Sequence, residues 1–220
     1  MIIAIDGPAG AGKSTVAKSV AHTLGFLYID TGAMYRALTL KALEHKIDIK
    51  DHAKVIALAH QTAIDLKNNP GGPITVLLDG KDVSKEIRQP VITKFVSDVA
   101  KIKGVREVML VMQRRLGKTR DSVLDGRDIG TVVFPDADKK FYIDAQFSER
   151  VNRRYKELIG LGENVTPQDI EADLRNRDTI DSTREFAPLK KADDAIYVDT
   201  TNMSIKEVVD TVLKSVNITS

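Results

Sequence analysis

Gly7-Pro8-Ala9-Gly10-Ala11-Gly12-Lys13-Ser14 fits the pattern G-x-x-x-x-G-K-[ST], and its neighbours decide what the match means. Upstream, Ile2–Ile5 is a short apolar run of the kind buried on both faces in a parallel sheet. Downstream, Val16, Val20 and Leu24 recur at helical spacing, and Gly25 ends the run. A strand feeding a glycine loop that opens a helix is the context in which this pattern binds phosphate. The glycines let backbone N–H groups curl around phosphate oxygens, and the helix aims its positive end at the same charge. Lys13 then reaches the β and γ phosphates of ATP, and the Ser14 hydroxyl ligates Mg²⁺. The loop residues and the adjoining Thr15 are the expected ATP-binding residues.

Outward from the loop, Phe26–Ile29 reads as a second strand and residues 33–46 and 51–61 as helices. This β–loop–α–β–α order predicts a doubly wound parallel sheet. The middle differs. Thr62–Leu66 and Ile74–Leu78 read as strands separated by the turn cluster 68–73, and Asp79-Gly80 suggests a tight hairpin into Lys81–Val83. Residues 62–84 are therefore expected to form a small antiparallel sheet set apart from the main one. Residues 90–116 are helical with a break near Lys103-Gly104. Ser122–Asp125 and Lys139–Asp144 are further core strands. Helices follow at Ser148–Ile159 and Thr166–Thr179, where Thr166-Pro167 fits an N-cap and a first-turn proline. Ala195–Asp199 is the last strand and Ser204–Val216 the closing amphipathic helix.

Composition narrows the class. The 220 residues are 42% hydrophobic and 29% charged, which suits a globular core. A net charge of +2 argues against a sequence-independent nucleic-acid binder. Cysteine is absent, so disulfides, thiolate metal sites and a cysteine nucleophile are excluded. No apolar run approaches the roughly 20 residues needed to span a bilayer. Met1–Asp6 lacks the basic start and long apolar stretch of a secretory leader. The expected setting is the cytoplasm.

The loop identifies the donor and leaves the acceptor open. The N-K-x-D base-reading pattern of a GTPase is missing, and motors or helicases are much longer, so a small-molecule kinase is favoured. Further motifs bear on the acceptor: Asp30-Thr31-Gly32-Ala33-Met34-Tyr35-Arg36, Leu77–Ser84 with Glu86-Ile87-Arg88, and the stretch Asp125-Gly126-Arg127-Asp128-Ile129-Gly130 running on to Asp136. Arg177-Asp178-x-x-Asp181-x-x-Arg184 with Ala187-Pro188-Leu189 completes the set. Together these resemble the bacterial cytidylate kinases, from the first strand to the last helix. The resemblance implies an α/β fold: a doubly wound parallel-sheet P-loop core, a small antiparallel insert in the acceptor-binding part, and a helical lid. It implies a single domain over 1–220, with acceptor-binding part 31–116 and lid 148–185. The implied substrates are ATP and CMP or dCMP, with Mg²⁺ and no nucleic-acid or membrane partner; a monomer is expected.

An acceptor that is already an anion needs no protein base, so the chemistry rests on positioning and on arginines that neutralise phosphate charge. Arg36 is expected to hold the acceptor phosphate with Thr31 nearby, and Arg127, just past a core strand, to grip the same group. By resemblance, Asp128, Ser97 and Arg106 read the cytosine. Cytosine offers an amino donor to an acid and acceptors to an arginine. Asp125 is a candidate Mg²⁺ partner through water. Asp30 is a weaker one, or simply the cap of the next helix. Arg150 and Arg154 share a helical face, as do Arg177, Asp181 and Arg184. With the flexible turn 160–165 between them, these helices describe the lid. The resemblance has Arg150 stack on adenine, Arg154 and Arg177 meet the transferring phosphates, and Asp181 and Arg184 touch the acceptor ribose. Asp199–Asn202 lines the adenine pocket or forms a plain turn. The four histidines show no metal-ligand spacing. The rival readings are a kinase of another acceptor, such as UMP, AMP or shikimate, and a nucleotide-dependent switch.

Overall fold

The computed structural model describes residues 1–69 and 74–216. The chain opens with β1 (Ile2–Asp6), α1 (Lys13–Leu24), β2 (Leu27–Asp30), α2 (Thr31–Glu44) and α3 (His52–His60). Then come β3 (Ile64–Lys67), β4 (Thr75–Leu78), β5 (Lys81–Asp82), a 3-10 turn at Glu86–Arg88, α4 (Pro90–Ala100) and α5 (Lys103–Gly117). The last part holds β6 (Ser122–Gly126), a π-helical turn at Ile129–Val133, β7 (Lys139–Asp144), α6 (Phe147–Gly160), α7 (Pro167–Thr183), β8 (Ile196–Asp199) and α8 (Ile205–Val216). Residues 70–73 of the expected turn cluster lie outside the described residues.

The main sheet has the order β2-β6-β1-β7-β8, and every pairing in it is parallel. β3-β4-β5 form the separate antiparallel sheet. α1 packs on β2 and β6 and against α8, while α5 packs on the same two strands and against α3 and α4. Strands buried on both faces do not alternate, which is why Ile3–Ile5 of β1 and Val123-Leu124 of β6 read as continuous apolar runs. β3 is half covered and alternates buried with exposed residues.

Local chemistry places the boundaries. At Gly7, φ is +146° and a Cβ would lie 1.9 Å from the carbonyl oxygen of Ile143, so only glycine lets the chain turn off β1 against β7. Gly25 ends α1 in the left-handed region and returns its N–H to that helix. α2 starts at Thr31, two residues before the sequence expectation, because the Asp30 carboxylate accepts the Ala33 N–H at 2.8 Å. α7 carries a full capping box between Thr166 and Asp169, with Pro167 in its first turn. The break between α4 and α5 falls at Lys101-Ile102, two residues before the expected position.

The buried apolar residues form one large cluster around the main sheet and a small satellite. In the satellite, Ala9 of the glycine loop is buried with Ile170 and Leu174 of α7, and Phe147, Val151, Tyr155 and Leu158 of α6 pack around them. The α6–α7 pair is thus seated directly on the glycine loop.

Candidate active site

All five parallel strands carry an aspartate at or next to their C-terminal ends: Asp30, Asp125, Asp6, Asp144 and Asp199 in sheet order. A cleft of about 1790 Å³ opens over this edge, between the glycine loop, α2, α4 and the α6–α7 pair. Open α/β sheets bind ligands at this edge because the following helices point their N-termini there.

On the loop side, Lys13 is buried and donates to the carbonyl of Pro8 at 2.6 Å. Ser14 Oγ donates to Asp125 Oδ2 at 2.6 Å, and the Tyr28 hydroxyl donates to Oδ1 of the same carboxylate at 3.1 Å. The Thr31 hydroxyl donates to the backbone carbonyl of Asp125 at 2.7 Å. Burial, and then Asp30 alongside, pushes the Asp125 carboxyl up. Burial, and then Arg127, pushes the Lys13 ammonium down. Both groups are thus disposed to gain from an added counter-charge. Asp30 itself is engaged as the α2 cap.

Across the cleft, guanidinium groups converge from five segments: Arg36 on α2, Arg88 on the 3-10 turn, Arg127 after β6, Arg154 on α6 and Arg177 on α7. Crowded together, they disfavour one another's charged forms. Burial, then Arg177, with Arg154 and Arg88 contributing, lowers Arg36 to about 10. Burial, then Arg127, with Arg154 adding, lowers Arg177. Counter-charge is thin. Arg36 Nη1 donates to the Thr93 hydroxyl at 2.8 Å. Arg154 pairs with the exposed Glu157. Arg177 approaches Asp173 only at 3.8 Å, and its buried Nε finds no hydrogen-bond partner among the described residues. Such a cluster is built to be completed by an anion.

A chain of ion pairs leads from there to the cleft floor. Arg127 Nε meets Asp181 at 2.8 Å, Asp181 meets Arg184 at 3.2 Å, Arg184 meets Asp128 at 3.5 Å, and Asp128 meets Arg106 at 2.6 Å. Although burial pushes Asp181 up, Arg127 and Arg184 hold it below the usual carboxylate range. Arg184 also donates to the carbonyl of Ala187, which sits at φ +52°. Arg106 lies over the Tyr35 ring, 5.4 Å from its centroid, and its buried Nε is unpartnered among the described residues. Ser97 on α4 also lines this end.

Three expected residues stand apart from the lining: Gly7, Pro8 and Arg150. Arg150 is buried beneath the loop, where it donates to the carbonyls of Ala9 at 3.0 Å and Ala145 at 3.2 Å and pairs with Asp178 at 2.6 Å. The adenine-stacking role implied by resemblance is not what this placement offers. Arg153, unassigned from sequence, faces the cleft instead. It donates to the Thr200 hydroxyl at 3.0 Å and to the Thr200 carbonyl at 2.6 Å. Thr200 and Thr201 line the cleft while Asp199 accepts the Thr201 N–H, so 199–202 is both a turn and a wall. Arg88 was also missed, although it lies within a quoted motif.

The parallel sheet, the glycine loop after its central strand and the arginine-lined cleft define a P-loop kinase of the doubly wound α/β class. Its backbone is similar to a shikimate kinase from Bacteroides thetaiotaomicron, with a TM-score of 0.51 over 99% of both chains at 10% identity, a likeness of fold alone. The cytidylate kinase family model matches residues 3–218, and the chain belongs to that family. A cytidylate kinase of Clostridioides difficile is 50% identical over 218 residues, 99% of each chain. One from Desulforamulus reducens is 51% identical over 211 residues, 96% of this chain and 94% of its own. Among the described residues no helix is long and apolar enough to cross a membrane.

Proposed function

We propose that the protein transfers the γ-phosphoryl group of ATP to CMP or dCMP, releasing ADP and CDP or dCDP. The observation that carries this reading is the cluster of five guanidiniums, whose charge is only partly matched by the protein's own carboxylates. Two substrates that both bring phosphate supply the missing charge. The attacking oxygen belongs to the acceptor phosphate and is already ionised, so the step is a direct in-line displacement that needs no general base. Arg36 and Arg127, with Thr31, hold the acceptor phosphate. Lys13, Arg154 and Arg177 hold the transferring group and neutralise charge that spreads onto its oxygens.

Base selection follows from acid–base complementarity. The Asp128 carboxylate accepts from the cytosine amino group, while Arg106 donates to the ring acceptors and Ser97 completes the edge. A carboxylate has about four lone-pair sites, so the two arginines on Asp128 leave room for that bond. Uracil places a carbonyl there and meets repulsion, so UMP is a disfavoured acceptor, and shikimate offers no base edge for these groups to read. Asp181 and Arg184 border the ribose.

Mg²⁺ fits the donor side. The Ser14 hydroxyl and Asp125 carboxylate stand 2.6 Å apart, all-oxygen ligands on a carboxyl that burial disfavours in its ionised form. Among the described residues no three His, Cys, Asp or Glu gather into a cluster, as befits an ion completed by phosphates and water. Ser14 would hold it directly and Asp125 through water, and the ion would supply charge neutralisation at the phosphates.

Residues 148–185 act as a lid that excludes water as a competing acceptor, and 31–116 as the acceptor-binding part of a single domain over 1–220. Large exposed apolar side chains such as Val111, Leu161 and Tyr197 are spread over different elements, which supports a monomer. The test is ADP release with Mg-ATP and each of CMP, dCMP, UMP, AMP and GMP. Strong turnover with CMP and dCMP and weak turnover with UMP is the expected result. Preference for another monophosphate would overturn the base assignment, and hydrolysis indifferent to every monophosphate would overturn the transferase reading.

A further inference from the structure

Asp6 is a buried carboxylate with no part in the chemistry above. It ends β1, immediately before Gly7, and is 5% exposed. Its Oδ1 accepts the backbone N–H of Ile129 at 2.8 Å and its Oδ2 that of Gly130 at 2.7 Å. These are the first two N–H groups of the π-helical turn, which begins directly after Arg127-Asp128. The first N–H groups of any helical turn have no partner within it and need an acceptor. The residue placed to provide one is Asp128, at the N-cap position, and aspartate is a preferred residue there. Yet Asp128 makes no cap bond; its carboxylate is turned into the cleft toward Arg106 and Arg184. Asp6, 123 residues earlier in the chain, caps the turn in its place.

We infer that Asp6 is a positioning residue for acceptor recognition: by capping the π-helical turn from β1, it frees the Asp128 carboxylate to face the acceptor base. Because Asp6 also leads into the glycine loop, one residue ties the donor loop to the segment that reads the acceptor. Gly130 is close-packed in the same place, since a Cβ on it would lie 3.1 Å from the Lys140 side chain and 3.4 Å from Asp6 Oδ2. The turn therefore has little freedom to seek another acceptor. Without Asp6, the Gly130 N–H is expected to draw on Asp128 at the N-cap, by the short side-chain-to-backbone bond that aspartate favours.

The inference rests on CMP being the acceptor and Asp128 facing its base, so the experiment measures that first. In the wild-type protein, kcat/KM is determined for CMP and for UMP with Mg-ATP; no preference for CMP there would sink the functional reading itself. Asp6→Asn keeps the shape and loses one of the two bonds; Asp6→Ser reaches at most one N–H. In both variants the CMP-over-UMP ratio is expected to fall about tenfold, the scale of one misdirected hydrogen bond to a charged group. The fall should come chiefly through KM for the monophosphate, with KM for ATP unchanged. A purely structural role would lower kcat/KM for CMP and UMP in proportion and leave the ratio intact. That result, or failure of both variants to fold, would overturn the inference.

Discussion

At the scale of single residues, the site is a set of charges held at a cost. Lys13, Arg36 and Arg177 all have their protonated forms disfavoured by burial and by neighbouring cations. Such strain is characteristic of a site preorganised for an anion, where interactions are paid for before the ligand arrives. Arg177 is the sharpest case: its ion pair with Asp173 is stretched to 3.8 Å, and its Nε is unpartnered among the described residues. Replacing it with alanine removes repulsion from the ligand-free protein and charge neutralisation from the transfer step. Arg177→Ala is therefore expected to melt no lower than wild type without ligands, while kcat falls about 10²–10³-fold. Calorimetry and steady-state kinetics on the same preparation check both halves. A lower Tm with little loss of kcat would make Arg177 a structural residue.

At the scale of elements, the strand-end aspartates show how one residue type at one place in a sheet takes different work from its surroundings. Asp30 caps α2, Asp6 caps the π-helical turn, Asp199 closes the turn before α8, Asp144 accepts the Ala145 N–H, and Asp125 meets Ser14 and Tyr28. Chain leaving a parallel strand exposes N–H groups beside helix N-termini, and a short carboxylate satisfies both needs. The α6–α7 pair, the proposed lid, obeys a different logic. Ile170 and Leu174 bury against Ala9, and Arg177 and Asp181 follow on the same face of α7. Packing at one end of the helix thus aims the charges at the other. Leu174→Ala is expected to loosen α7 while the main sheet holds, because the satellite cluster is separate from the large core. Hydrogen exchange should rise in α7 and stay low in β1 and β6. Displacement of Arg177 by about 1 Å would lower kcat about 10²-fold. Uniformly faster exchange across both regions would contradict a separately held lid.

At the scale of the whole molecule, a buried carboxylate leaves a mark on the stability curve. Burial pushes Asp6 up from 3.8 to about 6, against the opposing pull of its two N–H bonds. A carboxyl raised in the folded state binds its proton more tightly there than in the unfolded chain. The contribution is therefore stabilising at low pH and is lost as pH rises through the interval from 3.8 to about 6, by about 3 kcal/mol at most. Above that interval the ionised group accepts both N–H bonds, the form the turn needs. Asp6→Asn lacks this titration, so its stability deficit relative to wild type should narrow between pH 4 and pH 7 in urea unfolding of the ligand-free protein. Parallel profiles would show that Asp6 titrates normally.

The sequence by itself determined the parallel core, the loop and the donor chemistry. Those signals are local: an apolar run, glycines at fixed spacing and a helical repeat lie within Ile2–Leu24, and Thr166-Pro167 announces α7 without help from elsewhere. The residues Arg36, Arg127, Asp128, Arg154, Arg177, Asp181 and Arg184 were legible through their motifs, and the cleft brings them together. Packing alone settled the rest. Arg150, Arg153 and Arg154 lie within five residues of one helix, yet Arg150 is buried under the glycine loop while the other two face the cleft. Helical periodicity specifies which side chains share a face and is silent on what that face meets. The π-helical turn had no sequence signal, because its cap stands on another strand 123 residues away. Contacts of that separation exist only once the sheet has formed and brought the ends of β1 and β6 side by side.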